Sequence, residues 1–262
     1  MVEEKNSFPT LIDTHCHLDF PAFDVDRAEV VAAARQCGVT KMIVPAVLAR
    51  DFARVASMRT QYGCAIALGL HPLWIDEHTE ADLATLDAAL RQEQPCAVGE
   101  IGLDFADPQA DTVRQEWFLV EQLQLARRYD LPVLLHTRRS LDRVLKYVRQ
   151  VPVVGGIVHA FNGSEQQAKM LIDRGFKLGF GGSMSYAGST RIRRLAATLP
   201  LSAIVLETDA PDMPPQWAQG QRNHPKNIRD FAQILADLRG VPLAYVVECV
   251  QENSIGMLRP AV

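Results

Sequence analysis

At 262 residues with 48% apolar side chains, the chain is long enough for one large domain and too apolar for a disordered one. No apolar run reaches the length that spans a bilayer, and Met1–Thr10 does not read as a signal peptide, because Glu3 and Glu4 stand where a basic start would and no apolar run follows. A net charge of −4 excludes a global basic field for polyanions, and five scattered cysteines (Cys16, Cys37, Cys64, Cys96, Cys249) without a Cys-x-x-Cys pair predict reduced thiols in a cytoplasmic setting.

Short β-branched or apolar runs alternate with longer amphipathic stretches. The first predicted strand, Thr10–Asp13, precedes a helix over Val25–Gln36. Strands at Lys41–Pro45, Cys64–Leu70 and Cys96–Ile101 precede helices at Asp51–Gln61, Glu80–Arg91 and Thr112–Tyr129, in which Trp117 and Phe118 read as core or flank. Strands at Pro132–His136, Gly156–Ala160 and Phe176–Gly181 precede helices at Ser140–Gln150, Glu165–Arg174 and Thr190–Thr198. The last of these carries the helical stripe Ile192, Leu195, Ala196, Leu199. The run Gly179-Phe-Gly181-Gly182 lacks dinucleotide-loop spacing and reads as close backbone packing. An eighth strand, Ala203–Glu207, is followed by the longest irregular stretch, Pro211–Pro225. A helix with Ile228, Phe231, Ala232 and Leu235 on its apolar face comes next, then a last helix over Leu243–Met257. Eight β-α units predict a closed (β/α)8 TIM barrel, α/β in class, forming a single domain over 1–262. An open doubly wound sheet is the alternative, because periodicity does not show closure.

The chemistry-bearing residues fall at strand ends. His15 and His17 stand two apart, so both imidazoles share one face while Cys16 turns to the helix layer. Alone, the pair is either a metal chelate or ordinary strand-end polarity. Glu100, His136 and His159 end the fourth, fifth and sixth strands, and Asp209 follows the eighth. Burying such groups unpartnered is costly, and barrels collect catalytic groups from several strand ends on one face. Together the six predict a metal centre. Imidazoles with carboxylates and no cysteine suit Zn, Mn, Ni, Fe or, less tightly, Mg. Six ligands exceed what one catalytic zinc takes and predict two divalent metal ions sharing a carboxylate such as Glu100, a centre suited to hydrolysis at phosphorus or an acyl carbon. His71, in Gly-Leu-His-Pro after the third strand, is a substrate contact or a turn-fixed structural histidine. His78 and His224 lie in polar loops, and His78 is expected to be exposed. Arg138 and Arg139 follow His136, and one of them suits a substrate phosphate. Arg191, Arg193, Arg194 and Arg222 form either a local basic patch on the rim, with Arg191 and Arg194 on one flank, or a solvated face.

Six segments in order carry a resemblance: Ile12-Asp-Thr-His-Cys-His-Leu-Asp19, Gly69-Leu-His-Pro72, Val98-Gly-Glu-Ile-Gly-Leu-Asp104, Pro132-Val-Leu-Leu-His-Thr-Arg138, His159-Ala-Phe-Asn-Gly-Ser164 and Leu206-Glu-Thr-Asp-Ala-Pro211. The chain resembles the TatD family of metal-dependent hydrolases, many described as deoxyribonucleases. Gly181-Gly-Ser-Met-Ser-Tyr186 and Asp209-Ala-Pro-Asp-Met-Pro214 are similar to its YjjV-type branch. The resemblance implies that His15, His17 and Asp209 bind one metal, that His136 and His159 bind the other, and that Glu100 bridges. It implies catalytic roles for Asp209, which orients or deprotonates the attacking water, and for Glu100. His71, Arg138 and Glu207 would line the substrate side or support the ligands. Thr137 stands where the family pattern has a serine between His and Arg. The implied activity is cytoplasmic hydrolysis of DNA phosphodiesters, often from a 3′ end, with DNA as substrate, no membrane and no obligate protein partner. Two alternatives remain at this stage. One is an amidohydrolase-type enzyme acting on a small amide, ester or phosphoester, although many binuclear members of that group carry a lysine at strand four where Glu100 stands. The other is a metal-stabilised binding protein without turnover.

Overall fold

Eight parallel strands follow one another around a single sheet in sequence order. They are β1 (Leu11–Asp13), β2 (Val39–Pro45), β3 (Ala65–Leu68), β4 (Ala97–Asp104), β5 (Val133–Arg138), β6 (Gly156–Val158), β7 (Phe176–Phe180) and β8 (Ile204–Leu206). The structure is a computed structural model describing residues 10–258, so of the segment examined for a leader only Thr10 lies within the described residues. Hydrogen bonds from the β1 end to the β8 end close the ring. Thr14 N–H donates to Leu206 O (3.1 Å), Asp209 N–H to His15 O (2.8 Å) and His17 N–H to Ala210 O (2.8 Å). The Asp13 carboxylate adds a staple, accepting from Thr208 N–H (2.9 Å) and Thr208 Oγ1 (2.6 Å). The fold is therefore the expected TIM barrel and not an open sheet.

Helices α1 (Arg27–Gln36), α2 (Phe52–Tyr62), α3 (Glu80–Glu93), α4 (Thr112–Arg128), α5 (Leu141–Gln150), α6 (Glu165–Ile172), α7 (Thr190–Thr198) and α8 (Ile228–Arg239) follow the strands in turn, and α9 (Leu243–Met257) ends the described chain. Alternate strand residues divide into two cores. Ile12, Ile43, Ala65, Ala67, Ala97, Leu134, Ile157 and Val205 form a small inner cluster. Val44, Ile66, Leu68, Val133, Leu135, Val158 and Leu178 join the larger layer under the helices, with Cys16 among them. The inner cluster is short and fills only part of the barrel, and polar residues occupy the other end. Among the described residues no helix is long and apolar enough to cross a membrane.

The strand limits differ from expectation where the site lies. β4 runs on to Asp104 and β5 to Arg138, whereas β6 stops at Val158. Gly102 interrupts the apolar run of β4, and its φ of +151° puts it where an added Cβ would stand 2.0 Å from the His136 carbonyl oxygen. Only glycine allows the two strands to pair so closely there.

Candidate metal centre

The inner face of each strand leads into the polar end. Leu134, Ile157 and Val205 are inward, so residues two further on, His136, His159 and Glu207, point the same way. Asp209 follows in a left-handed turn (φ +57°), fixed by its N–H bond to His15. Gly179 makes room for Glu207, since a Cβ there would lie 2.2 Å from that carboxylate.

Glu100 stands in the middle. Its Oε2 lies 3.0 Å from His15 Nε2 and 3.6 Å from His17 Nε2. Its Oε1 lies 3.1 Å from His71 Nε2 and 3.0 Å from His136 Nδ1. Asp209 Oδ1 faces His15 and His17 at 3.8 and 3.6 Å, and Oδ2 faces His159 Nε2 at 3.4 Å. Three sets have their donor atoms within 4.8 Å of one another: His15, His159, Asp209; His15, His17, Glu100; and His71, Glu100, His136. Thus all six sequence-predicted ligands converge, but His136 and His159 do not share a set, and His71 joins the set of His136.

The outer partners decide which nitrogen is free. Leu73 N–H donates to His71 Nδ1 (3.1 Å), which puts the proton of the neutral ring on Nε2 and makes it a donor to Glu100. His71 therefore supports the carboxylate instead of offering a lone pair. His136 Nε2 lies 2.9 Å from Asp104 Oδ2, so its Nδ1 is the free ligand atom. His159 Nδ1 lies 2.9 Å from Glu207 Oε1, off the line of a full hydrogen bond, leaving Nε2 toward Asp209. Glu207 is itself anchored by Ala160 N–H (2.6 Å). The Nδ1 atoms of His15 and His17 are buried without a partner. Those rings are held by stacking instead, His15 on His159 (centroids 3.8 Å apart) and His17 on Phe20 (4.5 Å).

Electrostatics follow from this crowding. Burial opposes charge on Glu100, but His71, His15 and His136 outweigh it and hold the carboxyl well below its usual range. Asp209 is also lowered, burial being outweighed by His159, His15 and His17. Burial lowers His15, whose neighbour His159 pushes the same way. For His136, burial is outweighed by the bonds to Asp104 and Glu100, which raise it to about 9. The donor atoms are thus poised for a cation. His15 and His17 Nε2 face each other at 3.3 Å, a spacing that one shared proton or a cation taking both lone pairs satisfies. Nitrogen and carboxylate donors without sulfur fit divalent ions of the Zn, Mn, Ni or Fe kind.

The centre forms the base of a cavity of about 950 Å³, lined by His17, His71, Glu100, His136, His159 and Asp209, with Arg138 on its wall. Several expectations need correction. His78 is buried, 1% exposed, because its Nε2–H donates to the His71 carbonyl (2.8 Å) and Arg114 binds its own carbonyl. Arg222 does not face the cavity, for it pairs with Asp26 and lies over Phe23. Arg193 is tied to Met184 O (2.6 Å), and of Arg191 and Arg194 only Arg191 lines the cavity. Trp117, 40% exposed, and Phe118, in the core, fall within the flank-or-core reading and need no correction. Sequence reading also passed over Asp104, although it stands four residues beyond Glu100 on the same strand.

A parallel barrel that gathers imidazoles and carboxylates at the carboxyl ends of its strands defines a metal-dependent hydrolase. The chain matches the model of the family described as TatD related DNase over residues 12–259. It belongs to the TatD family of metal-dependent hydrolases. It is 42% identical over 247 residues to the uncharacterized metal-dependent hydrolase YjjV of Escherichia coli K12, covering 93% of this chain and 95% of that protein. The crystal structure of E. coli YjjV matches with a TM-score of 0.92 at 41% identity, over 96% of this chain and 98% of that one. Human deoxyribonuclease TATDN3 is 30% identical over 259 residues, covering 94% of this chain and 93% of that protein.

Proposed function

We propose that this hydrolase is a deoxyribonuclease that removes nucleotides from the 3′ end of DNA with the help of two divalent cations. One observation carries the reading: the two oxygens of Glu100 face two separate imidazole groups, His15 with His17 on one side and His136 on the other. In this reading His15, His17 and Asp209 would hold one ion, and His136 and His159, which do not share a donor set as they stand, would hold the second, with Glu100 the shared carboxylate. Bound there, the ions would lower the pKa of a water and neutralise charge on phosphoryl oxygens.

The chain's own groups do the rest. Asp209, ionised and with a side chain 15% exposed to the cavity, takes the proton of the attacking water. His71 donates to Glu100 and fixes its tilt, and Glu207 holds His159 by its outer nitrogen. Arg138, at the end of β5 and 63% exposed, extends from Asp104 toward a phosphate oxygen. The name of the human relative supports DNA as substrate. The reading takes residues 1–262 as one domain working in the cytoplasm, in keeping with five free cysteines.

The test is elemental analysis of the purified protein together with hydrolysis of 3′-labelled and 5′-labelled single and double strands in Mg and in Mn. Early release of the 3′ label as a mononucleotide, abolished by chelation, is expected. Internal cuts from the outset would reject the exonuclease assignment, and inertness with every metal would reject the nuclease.

A further inference from the structure

We propose that Arg139 and Arg191 form a second phosphate subsite on the cavity rim, one that takes the phosphate next to the one at the metal centre. The subsite rests on the nucleotide reading above and narrows it: the favoured ligand is an oligonucleotide end carrying two phosphates, not an isolated phosphoester.

Two walls of unlike chemistry rise from the metal centre. One, from the turns after β1 and β3, carries Phe20, Leu73 and Trp74. The other carries Arg138 and Arg139 from β5 and the turn after it, Asn162 from the loop after β6, and Arg191 from the first turn of α7. Other arginines are neutralised by carboxylates: Arg27 by Asp24 (2.5 Å), Arg50 by Glu77 (2.6 Å) and Arg143 by Glu116 (2.6 Å). Among the described residues, no carboxylate lies within ion-pair distance of Arg139 or Arg191. Arg191 instead donates to Asn162 Oδ1 (2.5 Å), a neutral partner that orients the guanidinium and leaves its charge in place. Asp142 also lines the cavity and keeps its charge, but its Oδ1 accepts from Gln167 Nε2–H (2.6 Å) and it makes no ion pair with either arginine.

Arg139 carries a second mark. Its φ is +56°, a left-handed backbone that a residue with a Cβ adopts at a cost. The turn is held by Ser140, whose hydroxyl donates to Leu103 O (2.6 Å), and it sets the Arg139 side chain on the cavity wall. In a protein of net charge −4, such a local field adds to what the metal centre offers a polyanion. Guanidinium groups bind phosphate with paired donors, and two of them beside the centre suit the neighbouring phosphate of a chain. The apolar part of the lining, Phe20, Leu73 and Trp74, is left for the nucleoside.

The experiment measures binding of three ligands to the metal-loaded protein by calorimetry: thymidine 3′,5′-bisphosphate, thymidine 5′-monophosphate and thymidine 3′-monophosphate. The bisphosphate is expected to bind at least about tenfold more tightly than either monophosphate, the scale of one charge-assisted contact. In Arg139→Gln/Arg191→Gln that ratio should fall to within about twofold of unity. Arg139→Gly, which accepts the left-handed backbone freely, should lower the ratio too, which separates loss of the guanidinium from backbone strain. A wild-type ratio near one, a ratio unchanged in the variants, or an equal loss for all three ligands would overturn the subsite. The nuclease reading fails separately, if strands are not cleaved, and the binding ratio still decides the subsite.

Discussion

Replacing Asp104 by Asn probes the centre without touching a ligand. Asp104 Oδ2 lies 2.9 Å from His136 Nε2, and its Oδ1 accepts from Ala106 N–H (2.9 Å). Asn keeps the size and one acceptor oxygen; with that oxygen toward His136 Nε2–H the ring keeps its orientation, the Ala106 N–H loses its acceptor, and the negative charge that makes Nδ1 a strong lone-pair donor is gone. Partners of this kind are worth about 10- to 100-fold in metal affinity, or about 1.4 to 2.7 kcal/mol. Competition against a chelator of known affinity, followed by metal analysis, would measure the loss. Most of the hydrolysis should return at high metal, because the metal ligands and Asp209 are unchanged and only the distant partner of Arg138 (3.9 Å) is altered. Metal affinity within about threefold of wild type would refute the assignment of His136 Nδ1 as a ligand atom supported by Asp104.

Other outcomes follow from the same geometry. Asp209→Asn should lower kcat by at least about 100-fold, the range for loss of a general base, and steady-state kinetics at saturating metal would show it. Metal at a hundred times its Kd stabilises by about 2.7 kcal/mol, so chelation should lower Tm by about 5–10 °C, a change that should be smaller in His15→Ala, which loses one of the two ions. Gly179→Ala would place a Cβ 2.2 Å from the Glu207 carboxylate and should cost about 1–3 kcal/mol by overpacking, read by denaturant unfolding. Burial, aided by Lys226 and Arg222, lowers His224 to about 4, so its folded form stays neutral. That stability is full above the unfolded value near 6.5 and is lost as pH falls toward 4. His224→Asn keeps an acceptor for the Lys226 N–H and should show a smaller fall in Tm between pH 7 and 4.5.

The sequence made the periodic features legible. Two-residue spacing placed His15 and His17 on one face, and apolar runs ending in His136 and His159 marked the right ends of their strands. Closure was not legible, because it depends on contacts between residues nearly two hundred positions apart, such as Asp13 with Thr208. Asp104 was hidden because Gly102 breaks the apolar run of β4, although its backbone continues the strand against His136. His78 sits among polar neighbours and reads as exposed, yet its ring is covered when Arg114 of α4 reaches its carbonyl. Arg222 follows the eighth strand as a substrate contact would, but the loop carries it back to Asp26 ahead of α1. In each case a local pattern was overruled by a partner far along the chain.

Charge balance bears on which bond this hydrolase favours. Glu100, Asp104, Glu207 and Asp209 carry four formal negative charges into the site, and two divalent cations would balance them. Asp142 and Asp212, on the same cavity, are outnumbered by the arginines of its rim. Arg138, Arg139 and Arg191 then leave the rim net positive. A phosphodiester brings a charge that this rim attracts, whereas a neutral amide gains nothing from it and meets three cations it does not use. A kcat/KM for an uncharged amide or ester above that for a phosphodiester of the same leaving group would contradict this account, even with the metal ligands arranged as proposed.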